Sequence, residues 1–529
     1  MRDLQLAMSA TLQRPDCAPE NPAKPRSAVE TLAGGVAVML LLTVVQRGIG
    51  FLRAVLFCRW LDADQLGEWD LALNFLMLAA PLAVLGLPGS FGRYVDHFRQ
   101  RGQLRSFLSH VSILSIVLST VAIAVLLCAQ PVCQQWVFGT QEHAGLMFLL
   151  AASLGAVIAF NFLISLFTAL RHYRIISRMQ LAQTVLFSSL GLGLLWGWQA
   201  RVESVVVAFG IASLLVSIAG GWALLVIRRE LPQNESPLSY RSLTVKLAPF
   251  AFWLWVTNWV SNLFEMVDRW LLVHFSGLDA VAALELVGQY HSARVLPVLL
   301  VGVGDLLATI LTPHLSSDWE SGQHARVSQR LNFVLKLAAL GFTLVSVGLM
   351  IVSPLLFHYA LEHKFEDGES ILTWTLACSV WTALALIGFN YLWCAERSRW
   401  VSFTLAVGLA SSVLMGCVLV PQYGIHSAVW SSAAAKFLAL VLLAILLKVN
   451  GMAFDAKLIP LALVPLVLPL GVLPTLAVIA VLVRGLGPLK SCFNEHEWKQ
   501  MSEVYEKVAS QAHRYMPKST RGNAPAGAK

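Results

Sequence analysis

Charged side chains are scarce in this chain. Only 13% of its 529 residues are Asp, Glu, Lys or Arg, and 57% are apolar. A soluble globular protein carries about 25% charged residues, so the composition argues against a soluble fold. Apolar runs of about 20 or more residues recur along the chain, which is the length that an α-helix needs to cross a bilayer. The sequence therefore predicts an all-α, polytopic membrane protein.

Other features are missing as well, and each absence narrows the function. The eight cysteines are scattered without metal-ligand spacing or a disulfide framework, so we expect no metal site and no cofactor. No nucleophile triad or phosphate-binding glycine loop stands outside the apolar segments, so we expect no enzyme. The net charge of +8 is no sign of nucleic-acid binding, because excess Lys and Arg in a membrane protein marks its cytoplasmic loops.

Apolar segments of membrane length follow one another in two groups of six. The first group lies at 31–58, 69–92, 106–129, 144–168, 179–198 and 203–227, and the second at 247–275, 284–313, 331–357, 371–394, 400–420 and 425–447. A further apolar stretch at 458–483 is broken by four prolines and is either a full span or a re-entrant hairpin. The pattern predicts two six-helix lobes followed by this Pro-broken segment.

The predicted domains follow from these groups. They are a disordered N-terminal extension at 1–28, an N-terminal lobe at 29–228, a cytoplasmic linker at 229–246, a C-terminal lobe at 247–450, the additional hydrophobic segment at 451–486 and a basic tail at 487–529. In the tail, Trp498, Met501, Tyr505, Val508, Ala512 and Tyr515 recur at helical spacing, which predicts a cytoplasmic-type amphipathic helix.

Loop charges predict the orientation. Eighteen loop Lys and Arg residues fall on one side of the predicted spans, and only Arg59, Arg201 and Lys364 fall on the other. By the positive-inside rule, the first side is cytoplasmic. The N-terminus is then cytoplasmic too, and the side that carries Arg59 and Lys364 is external.

The chain contains an internal repeat. Gly50-Phe-Leu-Arg53, Leu61-Asp62-Ala63 and Gly67-Glu68-Trp69 recur as Asp268-Arg269-Trp270-Leu271, Leu278-Asp279-Ala280 and Gly288-Gln289-Tyr290. In both copies an arginine late in one span precedes a short external loop and a Gly-polar-aromatic start of the next span. Two related halves with a site between them are typical of transporters.

The few charges inside the apolar segments are the strongest functional signal. A charge at the bilayer centre costs roughly 2.5–3.5 kcal/mol, so these groups are expected to face each other or a watery cavity. Arginines outnumber carboxylates, which indicates an anionic cargo. The candidates for substrate binding are Arg47, Arg53, Arg269 and Arg294, and the candidates for ion coupling are Glu265, Asp268 and Asp305.

Uncharged polar residues extend these charges into stripes, which suggests one common cavity. Glu265 and Arg269 are spaced to pair along one helix, and Arg294 and Asp305 are predicted to share a face. The cavity candidates are Gln46, Asn74, Asn258, Asn262 and His291. Buried pairs that only fix helix packing are the alternative, and for Asp70 and Asn74 a packing hydrogen bond is the expected role.

Several motifs carry a resemblance to a known family. Arg47-Gly-Ile-Gly-Phe-Leu-Arg53, followed by Leu61, Gly67 and Asn74-Phe-Leu, resembles the first helix pair of the multidrug/oligosaccharidyl-lipid/polysaccharide exporter (MOP) superfamily. Gly86-Leu-Pro-Gly-Ser90 with Arg93-Tyr-Val95 resembles its polysaccharide and O-antigen flippases. Leu311-Thr-Pro313 resembles the second half of that group. The resemblance covers roughly residues 35–450.

The resemblance implies a fold and a function. It implies a V-shaped pair of six-helix lobes in the bacterial inner membrane that flip an undecaprenyl-pyrophosphate-linked glycan outward, with O-antigen, lipopolysaccharide or exopolysaccharide as the product. It implies a cationic cavity built here by Arg47, Arg53 and Arg294, to which the repeat adds Arg269. It also implies proton or sodium coupling, contact with membrane lipid and other polysaccharide-assembly proteins as partners. The lipid II branch has an acid directly after its second arginine, where this chain has Ala54, which argues against lipid II as cargo.

Three other functions are open at this point. A drug/cation antiporter of the same superfamily shares the fold but favours a cavity dominated by carboxylates. A membrane-embedded polysaccharide polymerase or ligase needs a substantial external loop, and the longest predicted ones here, 130–143 and 358–370, are short. A scaffold without transport activity has no evident use for charges inside the membrane.

Overall fold

The apolar segments of the sequence form helices throughout the computed structural model, which describes residues 26–230 and 240–485. No strand occurs among these residues, so the predicted all-α, polytopic fold is confirmed. The predicted N-terminal extension up to residue 25, linker residues 231–239 and the amphipathic tail helix lie outside the described residues. Residues 26–45 belong to a separate unit, and the contacts discussed below all lie within the unit that begins at Gln46.

The helices of the first half correspond to the first group of apolar segments. They are α1 (Arg26–Trp60), α2 (Ala63–Ala83), α3 (Phe91–Gln100), α4 (Leu104–Cys128), α5 (Gln130–Phe138), α6 (Ala144–Ala169), α7 (Tyr173–Gly197) and α8 (Val202–Glu230). Predicted span 69–92 is interrupted after α2, where Leu85 and Gly86 take positive φ angles and Leu87–Ser90 forms a 3₁₀ turn. Pro88 in that turn lacks the N–H that an α-helix would need.

The second half repeats this order. Its helices are α9 (Tyr240–Phe275), α10 (Ala280–Arg294), α11 (Pro297–Glu320), α12 (His324–Pro354), α13 (Glu366–Cys394), α14 (Ser398–Tyr423) and α15 (Ile425–Val449), followed by α16 (Leu458–Leu463) and α17 (Val472–Gly485). In the described part of the chain, nine helices have the length and hydropathy of a membrane span, namely α4, α6 to α8 and α11 to α15.

The outer surface of these helices is apolar. Ile116, Trp196, Leu414 and Leu473 are 66%, 88%, 70% and 80% exposed. A protein in water rarely exposes a contiguous apolar surface of this kind, whereas lipid tails cover it without cost. The buried side chains of both halves form one large apolar core, and a smaller core around Phe91, Phe107 and Phe167 lies in the first half.

The Pro-broken segment bends sharply at Gly471. This residue has a φ of +106°, and Thr475 Oγ1 donates a hydrogen bond to the Val467 carbonyl 3.2 Å away. In a straight helix, residues eight apart are separated by about 12 Å along the axis. We therefore propose the re-entrant hairpin rather than the full span for this segment.

The two halves meet mainly through α2 and α10, which are the second and eighth predicted spans. Both helices contain the Gly-polar-aromatic motif of the internal repeat. The repeat thus places its own copies next to each other, and the residues around this contact build the candidate site.

Candidate functional site

The two glycines of the repeat lie where the backbones of the two halves come very close to each other. A Cβ atom on Gly67 would lie 2.0 Å from the carbonyl oxygen of Leu284, and one on Gly288 would lie 1.8 Å from the carbonyl oxygen of Ala63. No other residue type fits such a backbone contact, which is the reason small residues recur at helix crossings in membranes. We call this contact the glycine seam.

The polar residue after each glycine contacts a loop of its own half. Gln289 donates from Nε2 to the Lys364 carbonyl at 3.0 Å and accepts from the Gly368 N–H at 3.1 Å. The repeat-equivalent Glu68 lies 3.8 Å from His143 Nε2, which belongs to the loop between α5 and α6. The repeat in the sequence therefore reflects a repeated tertiary contact.

Three residues past each glycine, the halves are joined by a buried ionic contact. Asp70 Oδ1 lies 2.9 Å from His291 Nδ1, and the other carboxylate oxygen accepts a hydrogen bond from Arg269 Nε. Asn74 Nδ2 donates to Asp70 Oδ1 at 3.1 Å. Asp70 and Arg269 are 3% and 4% exposed, so neither charge is stabilised by water.

Asp70 makes more contacts than its sequence context predicts. An isolated carboxylate in an apolar helix predicts a packing hydrogen bond, but its ionic partners Arg269 and His291 come from the other half of the chain, out of reach of any local pattern. Its position in the repeat, equivalent to that of His291, was the available signal.

Glu265 makes different contacts from those predicted. Its Oε2 accepts a hydrogen bond from Arg294 Nη2 at 2.7 Å, and its Oε1 lies 3.4 Å from Lys436 Nζ. The predicted side-chain pair with Arg269 is wrong, because Arg269 donates to the Glu265 backbone carbonyl and directs its Nε to Asp70 instead. The guanidinium of Arg269 thus pairs with the carboxylate of Asp70 in the other half rather than with the carboxylate of Glu265 on its own helix.

A kink separates Arg294 from Asp305. Residues 295 and 296 lie between α10 and α11, and Pro297 has no N–H for the Ala293 carbonyl. That carbonyl accepts instead from Thr375 Oγ1 at 3.1 Å. The predicted common face of Arg294 and Asp305 is therefore interrupted by this proline break, and the two residues stand on successive helices.

Asp305 faces the first helix. Its Oδ2 lies 4.0 Å from Arg47 Nη2, and the two side chains are 62% and 48% exposed. The guanidinium of Arg47 also lies against Gly302, where an added Cβ would come within 2.9 Å of the Arg47 Cζ. This pair is open to solvent, in contrast to the buried pair of Asp70 and Arg269.

Arg53 lies apart from the acids. Its Cζ is 4.1 Å from the centroid of the Phe187 ring, and its Nη1 lies 3.5 Å from Ser188 Oγ. Both partners belong to α7, and the arginine is half-buried. Across 26–230 and 240–485, the ion pairs include a carboxylate for Arg47, Arg269, Arg294 and Lys436 but none for Arg53.

Asp268 is in the opposite situation to Arg53, because it is a buried acid whose hydrogen-bond partners are hydroxyl groups. It is 2% exposed, accepts a hydrogen bond from Tyr290 Oη at 2.6 Å and lies 3.4 Å from Ser412 Oγ. Its neighbours in the described structure are thus hydroxyls rather than a cation.

The remaining predicted residues lie outside these contacts. Asn262 Nδ2 donates to Asn258 Oδ1 at 2.6 Å, one turn earlier on α9, and Gln46 is half-buried on α1. Over the described residues, no group of three or more His, Cys, Asp or Glu side chains is arranged to hold a metal ion. The structure brings Arg269, His291, Glu265 and Arg294 into one network and leaves Arg53 beside α7.

Two repeat-related halves with charges buried where they meet define a transporter-type membrane fold. A solved structure of the lipid II flippase MurJ in an inward closed conformation superposes with a TM-score of 0.65 at 14% identity, covering 85% of this chain and 99% of MurJ. An outward-facing multidrug resistance MATE family transporter of the MOP superfamily superposes with a TM-score of 0.59 at 14% identity, covering 79% and 94%. The fold is therefore that of the MOP superfamily.

The family follows from the sequence itself. The model of the family described as polysaccharide biosynthesis protein matches residues 32–317, and the chain belongs to this family. The uncharacterized membrane protein MJ1068 of Methanocaldococcus jannaschii is 20% identical over 426 residues, covering 77% of this chain and 82% of that protein. The predicted membership of a polysaccharide family is confirmed, and the fold shared with MurJ and the MATE transporter agrees with the predicted superfamily.

Proposed function

We propose that the protein is a flippase that moves a polyprenyl-pyrophosphate-linked glycan across the bacterial inner membrane by alternating access. The N-terminus is cytoplasmic in this proposal, as the loop charges predict, and the lipid tail stays in the bilayer while the sugars cross between the halves. It is a transporter and not an enzyme, and it works beside other proteins of polysaccharide assembly.

One observation carries the proposal, namely the unpaired Arg53. A half-buried guanidinium costs free energy unless an anion compensates it, and no carboxylate does so among the described residues. The stacking on Phe187 fixes the plane of its donors. A planar fork of donors binds a phosphate through two parallel hydrogen bonds. Arg53 is thus positioned to bind the pyrophosphate of the cargo.

The other arginines supply further positive charge once their carboxylate partners are displaced. Arg294 shares Glu265 with Lys436, so a pyrophosphate that displaces this carboxylate gains two cations at once. Arg47 Nη2 lies 4.0 Å from Asp305 Oδ2, and both side chains are exposed to solvent. An exposed ion pair of this kind is weak. Arg269 is bound more firmly because its pair with Asp70 is buried.

Asp268 is the carboxylate best suited to carry a coupling proton or sodium ion. Glu265 is neutralised by two cations, and Asp305 is exposed to water. Asp268 is buried among hydroxyl groups, where the gain or loss of one positive charge changes its energy most. It is adjacent to Arg269 in sequence, so a charge change there acts directly on the network between the halves.

Export by reconstituted protein tests the role of Arg53. Liposomes are loaded in the inner leaflet with a fluorescent polyprenyl-diphosphate sugar, and its arrival outside is followed with a membrane-impermeant quencher. Arg53→Ala should reduce the rate at least tenfold, and Arg53→Lys should restore only part of it because the bidentate geometry is lost. The matched control, Arg201→Ala, removes an exposed arginine of a loop and should leave the rate unchanged.

The same vesicles discriminate the antiporter alternative. An antiporter of cationic drugs should move a lipophilic cationic dye and should not depend on Arg53. Full export of the diphosphate lipid by correctly inserted Arg53→Ala protein would refute the flippase proposal, and dye transport in its place would establish the alternative.

A further inference from the structure

A surface pocket of about 370 Å³ lies at the turn between α6 and α7, in the first half of the chain. Pro88 of the 3₁₀ turn Leu87–Ser90 also lines it. In the predicted orientation the turn between α6 and α7 is cytoplasmic, so the pocket lies at the level of the inner lipid headgroups. Its volume is within the range of about 300–1,000 Å³ that is typical of ligand pockets.

The lining of this pocket combines apolar side chains with hydrogen-bond donors. Ile164 and Ala169 contribute apolar surface. Arg171, Ser165 and Tyr173 contribute a guanidinium and two hydroxyls, and neither hydroxyl has a hydrogen-bond partner among the residues that the structure describes. A guanidinium with hydroxyls beside it suits the oxygens of a phosphate group. A ligand with both a phosphate and an apolar part therefore matches this lining.

Arg171 occupies a backbone position that usually belongs to glycine. Its φ angle is +64°, its N–H donates to the Thr168 carbonyl at 3.0 Å, and the next N–H donates to the Phe167 carbonyl at 2.9 Å. This is the Schellman turn that ends many helices, in which the left-handed residue is usually glycine. The helices α3, α11 and α15 end in the same turn, with Gly102, Gly322 and Gly451 as the left-handed residue.

The arginine at the end of α6 is therefore strained, because the Cβ atom of a left-handed residue comes too close to the following carbonyl oxygen. Of the two non-glycine residues that the described helices have in this turn, Glu396 is an acid and Arg171 is the one that lines the pocket. Residues held in such conformations cluster at ligand-binding sites. The strain thus coincides with the donor that is best suited to an anion.

The surroundings of the pocket favour an anionic phospholipid over other phosphates. Tyr173 is 52% exposed, as is typical of a tyrosine at the membrane interface. A soluble phosphate would use only the donors, whereas a phospholipid also covers the apolar part of the lining. Arg174 and Arg178 add positive charge on the first two turns of α7, and residues 170–180 contain no acid. This charge disfavours the ammonium group of a zwitterionic lipid.

The pocket is separate from the candidate site between the halves. Arg53 lies against Phe187 of α7, and Tyr173 is the first residue of the same helix. Residues with this separation lie about 21 Å apart along a helix. A phosphate bound at Arg171 is therefore not in contact with Arg53.

We propose that this pocket binds the headgroup of an anionic phospholipid from the cytoplasmic leaflet. The guanidinium of Arg171 and the hydroxyl of Tyr173 bind the phosphate oxygens, and Ile164 and Ala169 contact the glycerol and the first methylene groups. Basic pockets between helices on the cytoplasmic side are common sites for such headgroups. Because the lipid binds the folded protein and not the unfolded chain, it also stabilises the fold.

Binding of dioleoylphosphatidylglycerol to the full chain in detergent, counted by native mass spectrometry, tests this site. The parent should bind one molecule of it at an about tenfold lower concentration than dioleoylphosphatidylcholine, because the guanidinium makes charge-assisted hydrogen bonds. Arg171→Gly removes the guanidinium and relieves the left-handed strain. This variant should lose the preference for phosphatidylglycerol, while its melting temperature without lipid stays equal or rises. Loss of binding is then not a consequence of unfolding.

Two further variants complete this test. Arg326→Ala removes an exposed arginine at the start of α12, on the same predicted side of the membrane, and should leave the preference unchanged. Tyr173→Phe keeps the ring, removes the hydroxyl and should weaken phosphatidylglycerol binding about threefold or more. It decides the outcome if Arg171→Gly does not fold. Unchanged phosphatidylglycerol binding in the folded pocket variants, or equal binding of both lipids by the parent, overturns the proposal.

Glycerol 3-phosphate distinguishes a lipid site from a site for a soluble phosphate. It carries the phosphate of the headgroup without the acyl chains, so it should not displace phosphatidylglycerol when both are present at equal concentration. Displacement under these conditions would show that the pocket binds a soluble phosphate and that the lipid proposal is wrong. These measurements require no cargo and no Arg53, so their failure would leave the proposed flippase function unaffected.

Discussion

Asp70 and His291 occupy equivalent positions of the internal repeat and contact each other between its two halves, with 2.9 Å from Oδ1 to Nδ1. The same carboxylate binds Arg269, which is the repeat equivalent of Arg53. Among the described residues, one copy of the repeat therefore has its arginine paired with an acid, whereas no ion pair joins a carboxylate to the arginine of the other copy. In the proposed function, that second arginine binds the cargo and the first joins the halves.

Removal of the acid from this contact should destabilise the protein. Asp70→Asn leaves Arg269 buried without its counter-charge, and breaking a buried pair in this way costs about 3–5 kcal/mol. We expect a clearly lower apparent melting temperature in detergent. Asp305→Asn, at an acid that is 62% exposed, serves as the control and should change the melting temperature little. Equal melting temperatures for Asp70→Asn and the parent would show that the pair contributes nothing to stability.

Neutralising Glu265 should strengthen anion binding. Glu265→Gln removes the carboxylate that occupies Arg294 and Lys436, so an incoming diphosphate no longer competes with it. We expect inorganic pyrophosphate to bind about tenfold tighter, which corresponds to roughly 1.4 kcal/mol, and export to slow because release is hindered. Isothermal titration of the detergent-solubilised protein measures the affinity. Glu362→Gln, remote from Arg294, should not alter it, and weaker binding by Glu265→Gln would contradict the competition.

Straightening the kink between α10 and α11 should impair transport more than folding. Pro297→Ala supplies an N–H for the Ala293 carbonyl and favours a continuous helix, which turns Arg294 away from Glu265. We expect reduced export with an unchanged or higher melting temperature. The paired variant Thr375→Val keeps the proline but removes the hydroxyl that bonds to Ala293. It should lower stability by about 1–3 kcal/mol and preserve export per folded molecule, and the reverse result would argue against the kink as a functional device.

The contact between Lys336 and Asp455 should make stability depend on pH in acid. Lys336 is fully buried and its Nζ lies 2.6 Å from Asp455 Oδ2, in the loop that precedes the Pro-broken segment. Burial opposes ionisation of Asp455, but the hydrogen bond and charge of Lys336 outweigh it and hold the pKa of this carboxyl below its usual range.

A lowered carboxyl pKa stabilises the fold above the unfolded value of about 3.9, and this contribution is lost as the pH falls through the lower folded pKa. The melting temperature of the parent should therefore fall below about pH 4. Asp455→Asn should melt lower at neutral pH and lose this acid dependence. An identical pH profile for both proteins would show that another group controls acid stability.

The sequence alone determined the fold class and the candidate cations. Scarcity of charge and the length of the apolar runs dictate membrane helices because each backbone polar group must be satisfied within the helix in lipid. The same physics singled out Arg53 and Arg294, since a charge survives in such a segment only with a partner or a cargo. The repeated Gly67 and Gly288 were visible as a motif, although the motif did not disclose their contact.

Tertiary structure alone decided which charges neutralise each other. Helical spacing predicts a pair of Glu265 with Arg269 and a common face for Arg294 and Asp305. In the structure, Arg269 pairs with Asp70, Arg294 with Glu265 and Asp305 with Arg47. Periodicity describes neighbours along one helix, whereas these partners lie on different helices and beyond a proline kink. In a medium of low dielectric, a buried guanidinium pairs with the carboxylate that offers the best geometry, regardless of their separation in sequence. Only the packing of the two halves fixes that geometry.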